Sequence, residues 1–387
     1  MLYINYKEGI VMEQFIVSYQ IEADSYETAK MIAWSVQVEQ TIEFPYELVT
    51  DPILQNEVVG QLVELSPVDN GFYLAKIAYN VELTAFEVTQ FLNVVFGNSS
   101  LQPHIWVVEL SLPKSLLMHF GGPRFGLSRL RTLLHVPKRP MIQAVIKPLG
   151  SNTNTLAKMC HSYTLGGVDV IKDDHGITNQ CFSRFVERVK RCADSVHEGN
   201  EKIGGHTLYA ANISSDGGDV LERAYKAKEL GATALMITPG LVGFGWLQVL
   251  AKDESLGLPI ISHPAMLGGF ALPGTSGIAD YLWLGLLPRL FGADMPVFVS
   301  YGGRFTFTAE QCKKIHHYSI KDNEIIRSAC PSPGGGVTDA RLDELLDLYG
   351  PDTMFLIGGD MFRYSDDLQA NMEHFIDRMN AYTEGGN

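Results

Sequence analysis

The chain has 387 residues and a formal net charge of −14, and 46% of its residues are hydrophobic while 19% are charged. These values are typical of a globular protein with two domains and exclude a disordered or fibrous chain. Because no long basic run interrupts the acidic balance, we expect neither nucleic acid nor an anionic membrane as a partner. No apolar run approaches the roughly 20 residues of a membrane span, and five cysteines without C-x-x-C spacing indicate a reduced, cytoplasmic location.

The first part of the chain predicts a small sheet domain. We interpret residues 1–11 as a leader and residues 12–117 as an N-terminal α+β domain of the ferredoxin-like type. Apolar patterning predicts strands at 15–21, 60–65, 72–79 and 106–112, and helices at 25–39 and 85–96. This order of elements is typical of one sheet with its helices on one face.

Residues 118–387 predict a C-terminal (β/α)8 barrel. Short apolar runs predict eight strands, at 141–146, 167–171, 207–211, 233–237, 259–262, 295–299, 325–330 and 353–357. Helical patterns separate them, for example at 156–165, 220–230, 281–291, 341–349 and 368–379. Successive strand–helix units of this kind form TIM barrels, whose active sites lie at the carboxyl ends of the strands.

The second predicted strand runs into four polar residues, Lys172-Asp173-Asp174-His175. Two acids and an imidazole beside a lysine can hold a divalent cation or transfer protons, and a surface ion pair is the simpler alternative. An unmodified lysine binds Mg2+ poorly, whereas a carbamate on Lys172 would present two oxygens. His175 favours a softer ion or a role as a base, and Asp173 is expected to point away because strand side chains alternate.

Other strand ends carry further candidate residues. Lys147 follows the first strand and could stabilise an enolate or act as an acid or base. His263 ends strand five and is a candidate acid–base or hydroxyl-binding group, while Asn212 ends strand three. Arg304 lies in a glycine-rich loop after strand six, where it can bind a second anionic group.

Glycine clusters follow the last two predicted strands. They contain Gly334 and Gly335 after strand seven, and Gly358 and Gly359 after strand eight. Glycine turns let backbone N–H groups approach an anion closely, and this is the usual phosphate position in barrel enzymes. The pair of clusters therefore predicts a phosphate site, with ordinary turn formation as the alternative.

Together these residues resemble those of the RuBisCO large subunit, and more closely those of RuBisCO-like proteins that do not fix carbon dioxide. The resemblance extends from about Phe15 to the last helix and is most specific at residues 166–175, at 146–148 and at His263. It implies Mg2+ as cofactor, with Lys172 carbamylated, and leaves another divalent metal as an alternative. Residues 38–41 resemble the segment that reaches the neighbouring subunit's site, which implies a homodimer with shared active sites.

The resemblance also implies a role for each candidate residue. Lys172, Asp174 and His175 would hold the metal, and Lys147 would act on the proton next to the substrate carbonyl or on the enolate. His263 would line the sugar site with a catalytic role. The remaining substrate- and phosphate-binding candidates are Asn212, Arg304, Gly334, Gly335, Gly358, Gly359 and, from the neighbouring subunit, Glu39.

Departures from the carboxylating members argue against carbon fixation. Those members have glutamate at the position of His175, lysine at that of Leu149, arginine at that of Pro264, and a lysine in the loop near Arg304. The step that remains is formation of a metal-stabilised enolate from a phosphorylated sugar ketone. The Lys-Asp-Asp-His variant most resembles the branch that decarboxylates phosphorylated 3-oxo sugar acids, of the 3-oxo-isoapionate 4-phosphate type.

Three alternatives stay open at this point. An enolase or isomerase of methylthioribulose-phosphate salvage predicts an apolar pocket for a methylthio group. A non-catalytic sugar-phosphate binding protein predicts phosphate binding without proton exchange. A Schiff-base aldolase would use Lys147 or Lys172 as its nucleophile.

Overall fold

The chain divides into two compact units. The computed structural model describes residues 13–272 and 274–385, so the predicted leader at 1–11 lies outside the described residues. The first unit ends at Phe120 and also includes Leu272–Ala279, and the second comprises Gly121–Ala271 and the chain from Asp280 onward. Within the described ranges, none of the helices is both long enough and apolar enough to cross a bilayer.

The first unit is a five-stranded mixed sheet with helices. Its elements, numbered in chain order, are β1 (Gln14–Glu22), α1 (Tyr26–Glu39), β2 (Gln61–Pro67), β3 (Phe72–Asn80), α2 (Val88–Phe96), β4 (Ile105–Ser111), α3 (Lys114–Phe120) and β10 (Ser276–Ile278). The strand order is β10-β4-β1-β3-β2. In β1 the alternate residues Phe15, Val17, Tyr19 and Ile21 are fully buried, as the period-2 pattern predicted.

The strand β10 was not predicted from the sequence. It has three residues and pairs in parallel with β4, with Gly277 opposite Trp106. A short glycine-containing segment has no periodic signal of its own. The strand forms because a segment far along the chain returns to the edge of the first unit's sheet.

The second unit is an eight-stranded parallel barrel with an outer layer of helices. Its strands are β5 (Met141–Ile146), β6 (Val170–Asp173), β7 (Leu208–Asn212), β8 (Ala234–Ile237), β9 (Ile260–Ser262), β11 (Met295–Val299), β12 (Ser332–Gly334) and β13 (Met354–Ile357). The order β12-β11-β9-β8-β7-β6-β5-β13 places the last strand beside the first. The N–H of Met354 donates to Pro331 O at 3.0 Å, which brings the two ends of this sheet together. Both units confirm the predicted fold class.

Helices alternate with the barrel strands. They are α4 (Gly126–Leu134), α5 (Thr153–Leu165), α6 (Phe185–Ile203), α7 (Asp219–Glu229), α8 (Pro239–Val242), α9 (Gly245–Lys252), α10 (Gly268–Ala271), α11 (Leu287–Leu290), α12 (Ala309–Ile320), α13 (Leu342–Tyr349) and α14 (Leu368–Gly385). Short 3-10 or π turns lie at Tyr46–Leu48, Leu54–Val58, Val81–Thr84, Asn98–Leu101, Leu282–Leu286, Asp339–Arg341 and Gly359–Phe362. The single helix predicted at 281–291 is therefore a π turn followed by α11.

The strand predicted at residues 325–330 is wrong. Two backbone N–H groups of that segment donate to Asn323 Oδ1 at 2.8 and 3.0 Å, which holds it in a turn. The true seventh strand, β12, contains Pro333, and proline cannot donate to a ladder, so the segment has a weak strand signal. As a result Gly334 is the last residue of β12 and does not begin the following loop.

Asp294 connects α4 to the barrel. Its Oδ1 accepts the N–H groups of Phe125 and Gly126 at 2.7 and 2.8 Å, and its Oδ2 accepts that of Ile260 at 2.9 Å. The side chain is fully buried, and burial raises the pKa of Asp294 to about 6, although these N–H groups act in the opposite direction. A raised carboxyl pKa means that the folded state binds this proton more tightly than the unfolded state.

Asp294→Asn should therefore change how stability depends on pH. In the natural chain, Asp294 lowers the free energy of unfolding progressively as pH rises from about 4 to about 6. This loss of stability remains at higher pH. We expect the free energy of unfolding of the variant, minus that of the natural chain, to rise by about 2 kcal/mol between pH 4 and pH 7. Urea denaturation at a series of pH values measures this difference, and a constant difference across the range would contradict the assignment.

Candidate active site at the carboxyl ends of the barrel strands

The carboxyl ends of the barrel strands, here called the rim, bring the predicted site residues of the second unit together. Lys147 follows β5, Lys172 lies within β6, Asp174 and His175 follow β6, and His263 follows β9. Because all eight strands are parallel, their carboxyl ends face the same way.

Asp174 lies at the centre of the charged cluster. Its Oδ2 is 3.8 Å from Lys147 Nζ, and its Oδ1 is 3.1 Å from His175 Nδ1. Burial alone would raise the pKa of Asp174, but the hydrogen bonds from His175 and from the N–H of Gly176, with the charge of Lys172, hold it well below its usual range. Asp174 is therefore an ionised carboxylate at neutral pH, available to a cation.

Lys172 is the buried member of the cluster. Its side chain is almost inaccessible, and Nζ donates to the backbone oxygen of Asp173 at 3.0 Å. Burial lowers the pKa of Lys172 to about 8, and the neighbouring Lys147 acts in the same direction, while Asp174 and Asp173 oppose them. Carbamylation requires a neutral amine. At neutral pH a larger fraction of Lys172 is neutral than of an exposed lysine.

The imidazole of His263 stacks on that of His175. The two ring centroids are 4.1 Å apart with planes 14° from parallel. Burial lowers the pKa of His263 well below its ordinary value, and the charges of Lys172 and His175 add to this effect. His263 Nδ1 accepts the N–H of Ala265 at 3.2 Å, so the neutral ring carries its proton on Nε2. His263 is thus a neutral hydrogen-bond donor.

Asp173 anchors the strand that carries Lys172 and Asp174. Its carboxylate is buried, accepts from Arg188 Nε at 3.2 Å and from the hydroxyl of Tyr209 at 2.9 Å, and also accepts the N–H of Asn212. Asp173 therefore faces the helical layer, as the alternation of strand side chains predicted. Arg188 and Tyr209 were missed from the sequence. Arg188 lies on the apolar face of α6, a position that could have indicated a buried ion pair.

Asn212 holds the loop that follows β6. Its side chain is fully buried, and Nδ2 donates to the backbone oxygens of His175 and Ile177, both at 3.0 Å. Its Oδ1 accepts the N–H of Ser214 at 3.1 Å. Both amide protons and one lone pair of the oxygen are therefore used within the protein, and Asn212 holds the backbone at His175 in place. Its contact with substrate stays a prediction.

One of the two glycine turns, that after β13, lies beside Lys147. A Cβ placed on Gly358 would lie 3.4 Å from Lys147 Nζ, so the amine covers this turn closely. A Cβ on Gly334 would lie 2.8 Å from Leu356, which makes its glycine a packing requirement within β12. Gly335 has a φ of +77° and begins the loop proper. A Cβ placed on Gly359 would meet open space, which leaves room for a ligand.

For two further predicted residues the structure shows local contacts only. Arg304 is exposed, and its guanidinium carbon lies 5.0 Å from the ring centroid of Phe305. Glu39 belongs to the first unit, where its carboxylate accepts from Asn98 Nδ2 at 3.0 Å and Asn98 also donates to Glu43 at 2.8 Å. Their substrate contacts stay predictions.

Comparison with known proteins identifies the family. Residues 126–385 match the model of the ribulose bisphosphate carboxylase large chain, catalytic domain. The chain belongs to the RuBisCO large-chain family. It is 35% identical to ribulose bisphosphate carboxylase-like protein 1 of Rhodopseudomonas palustris, covering 94% of this chain and 96% of that protein.

One further sequence relative and one solved structure are also similar to most of this chain. A 5-methylthioribulose-1-phosphate isomerase of Rhodospirillum rubrum is 30% identical, over 89% of this chain and 90% of that protein. The crystal structure of a RuBisCO-like protein from Rhodopseudomonas palustris has a TM-score of 0.86 and 35% identity, over 95% of this chain and 98% of that one.

The RuBisCO family implies a metal, and the donor atoms of this site allow a test of that implication. In the described part of the chain, no group of three or more His, Cys, Asp and Glu side chains could hold a metal ion. Asp174 and His175 supply two donors, so a third must come from another type of residue. A carbamate on the buried Lys172 would supply it, because its two oxygens suit a hard cation. With that modification the residues fit a divalent ion.

Proposed function

We propose that this RuBisCO-like chain is an enzyme that forms an enolate from a phosphorylated sugar ketone and does not fix carbon dioxide. One observation carries the proposal: Lys147 Nζ lies between the ionised Asp174 and the glycine turn at Gly358. An acid–base group thus stands between a candidate cation site and a candidate phosphate site. A phosphorylated ketone has its reactive carbons between those two anchors.

Lys147 is the group proposed to move the proton. Its side chain is one-third exposed, so a ligand can reach the amine. As an ammonium, Lys147 can donate a proton to the enolate carbon, and as an amine it can remove one from the carbon next to the ketone.

His263 and His175 orient the substrate oxygens. The neutral His263 donates from Nε2 to a substrate oxygen, and its stacking on His175 fixes the plane of the ring. His175 is less constrained, because its side chain is 45% exposed, and it can contact the substrate or the cation. A divalent cation held by Asp174, His175 and carbamylated Lys172 would draw electron density from the ketone oxygen and so stabilise the enolate.

Among enolate-forming reactions we favour decarboxylation of a phosphorylated 3-oxo sugar acid. In that reaction the bond to the carboxylate breaks, carbon dioxide leaves with no proton removed, and the electron pair enters the ketone to form the enolate. Protonation of the carbon by Lys147 then completes the product. The support is the Lys-Asp-Asp-His sequence at residues 172–175 and the replacement of basic residues of carboxylating members by Leu149 and Pro264.

A second candidate is an isomerase or enolase of methylthioribulose-phosphate salvage. Leu149 is 55% exposed at the rim, and a Cβ placed on Gly176 would lie 3.9 Å from its Cδ2. This apolar surface next to Asp174 is of the kind that a methylthio group would cover. The Rhodospirillum rubrum relative named for isomerase activity points the same way.

Nuclear magnetic resonance separates the candidates. The protein, with Mg2+ and bicarbonate in D2O, is incubated with 13C-labelled 3-oxo-isoapionate 4-phosphate and, separately, with 5-methylthioribulose 1-phosphate. We expect labelled carbon dioxide and a singly deuterated product from the first substrate. Proton exchange or isomerisation of the second alone would support the salvage reaction. Binding of both without turnover would support a sugar-phosphate binding protein.

We also propose the homodimer with shared sites that the resemblance implies. In that arrangement Glu39 serves the active site of the neighbouring subunit. A mixture of Glu39→Gln and Lys147→Met chains tests it, because mixed dimers would regain one complete site. Recovery of about a quarter of the natural activity is the expected result for random pairing, and none is expected if each site uses a single chain.

A further inference from the structure

Arg341 lies where two loops of the rim meet. It follows the loop after β12 and precedes α13, and its side chain is 22% exposed. One guanidinium nitrogen, Nη1, donates to Tyr301 O at 2.7 Å and to Gly336 O at 3.1 Å. Tyr301 belongs to the loop after β11, so a single side chain joins two loops. No sequence pattern indicated this contact.

The guanidinium of Arg341 is held in a defined orientation. Its carbon lies 4.7 Å from the ring centroid of Tyr301, and Nε donates to Glu344 Oε2 at 3.3 Å. The hydroxyl of Tyr301 donates to the other oxygen of Glu344. Gly302 has a φ of +70°, and a Cβ there would lie 2.6 Å from Nη2 of Arg341. The loop after β11 therefore needs glycine at this point both for its backbone angle and to admit the guanidinium.

The direction of the two bound carbonyls determines where the N–H groups point. In a trans peptide the N–H is antiparallel to the C=O, so Arg341 turns the N–H groups of Gly302 and Val337 away from itself. Among the described residues, the structure shows no hydrogen-bond partner for the N–H groups of Gly335, Gly336 or Val337. Val337 is only 4% exposed, and an unpaired donor in such a residue favours an anionic ligand.

The third loop of this region is tied to the same segment. Asp360, in the turn after β13, accepts the N–H of Asp339 at 2.8 Å. The carboxylate of Asp339 is in turn bound by His374 and Arg378, each at 2.8 Å. Asp339 begins the short turn that ends at Arg341. The three loops after β11, β12 and β13 thus share one set of supports.

We propose that Arg341 is a positioning residue that orients the backbone N–H groups of these loops toward the phosphate group of the substrate. It acts through the carbonyls of Tyr301 and Gly336 and does not bind the phosphate itself. The loop after β11, which carries Arg304, is thereby coupled to phosphate binding. This inference deepens the proposed function, since it requires a phosphate monoester as ligand, but it does not depend on which reaction follows.

The test uses inorganic phosphate as the probe, with the full chain and isothermal titration calorimetry. Arg341→Gln removes the charge and the guanidinium that binds the two loop carbonyls. Arg341→Lys keeps the charge but loses the planar group that lies on Tyr301 and the nitrogen that binds Glu344. We expect at least about tenfold weaker phosphate binding for both variants, because two or more charge-assisted N–H bonds become disordered. Arg191→Gln, an exposed change of equal charge on α6, is the control and should bind as the natural chain does.

Hydrogen exchange measures the order of the loop backbone, which loss of charge alone would not change. Residues 301–307 and 335–338 should exchange faster in both Arg341 variants, and phosphate should protect them less than in the natural chain. Arg341→Ala should regain part of its phosphate affinity in millimolar guanidinium. If either substitution prevents folding, Glu344→Gln, which frees the guanidinium without removing it, should show the same pattern with a smaller loss.

Natural affinity in Arg341→Lys with lost affinity in Arg341→Gln would overturn the proposal, because charge alone would then suffice. Natural affinity in both variants would overturn it equally. Failure of the enolate chemistry would look different: phosphate binding would still depend on Arg341, but no phosphorylated ketone would be turned over.

Discussion

Replacement of Lys147 by methionine is expected to lower kcat on the phosphorylated ketone substrate by about two to four orders of magnitude, the usual effect of removing a general acid or base. Methionine keeps the length and apolar stem of the side chain but carries no exchangeable proton. The amine it removes lies 3.8 Å from Asp174 and beside Gly358, between the candidate cation and phosphate sites. The value of KM should change much less than kcat.

The measurement is the rate of deuterium incorporation or of carbon dioxide release, whichever the natural chain shows with the substrate. Lys190→Met is the matched control, since Lys190 is exposed on α6 and pairs with Asp194 one turn away. The control should retain natural kcat. A kcat for Lys147→Met within threefold of the natural value would show that another group transfers the proton.

Asp173→Asn should cost about 3 to 5 kcal/mol of the free energy of unfolding. Asp173 and Arg188 are both fully buried, and Arg188 Nη2 has no hydrogen-bond partner among the residues that the structure describes. Without the carboxylate, the buried guanidinium of Arg188 keeps its positive charge but has no negative charge beside it. Urea denaturation of the natural chain and the variant measures the difference.

Two controls separate the buried charge from a general effect of the substitution. Asp194→Asn breaks an exposed pair on α6 and should change stability by no more than about 1 kcal/mol. The double variant Asp173→Asn with Arg188→Met should recover part of the loss, because an apolar side chain has no charge to compensate. A loss below about 1 kcal/mol for Asp173→Asn alone would mean that Arg188 finds another partner or reaches solvent.

The anchoring of Asp173 also bears on the site. Its neighbours Lys172 and Asp174 are the proposed metal-binding residues, and the strand alternation that buries Asp173 directs them to the other side. A stable variant with a disturbed anchor should therefore show weaker divalent cation binding as well. The charged pair of Asp173 and Arg188 supports β6 from the helical layer.

The sequence alone was enough to predict the barrel and to place the candidate site residues at the ends of its strands. Strict repetition of short apolar strands and helices indicates a parallel barrel, and parallel strands bring their carboxyl ends to one rim. Any polar residue directly after a strand must then lie at that rim, which is why Lys147, Lys172, Asp174, His175 and His263 could be named in advance. Local periodicity is sufficient for these predictions because each depends only on where a strand ends.

Other features were decided by contacts between distant segments. The strands β10 and β12 form by pairing with β4 and β11, and neither has enough local pattern to be recognised. The sequence placed Asn212 at the rim correctly. Only the tertiary structure shows that its amide donates a hydrogen bond to the backbone of the loop at His175. Its burial depends on neighbours that are not adjacent in sequence.

The chain sequence by itself thus determined the order of elements and the chemical groups carried at the strand ends, since both follow from local pattern and strand polarity. Only the tertiary structure decided how those groups are oriented and what holds them: the proton position on His263, the buried pair of Asp173 with Arg188, and the contact of Arg341 with two loops. The physical reason is that side-chain direction and hydrogen-bond partners in loops depend on packing between remote residues, which local periodicity does not encode.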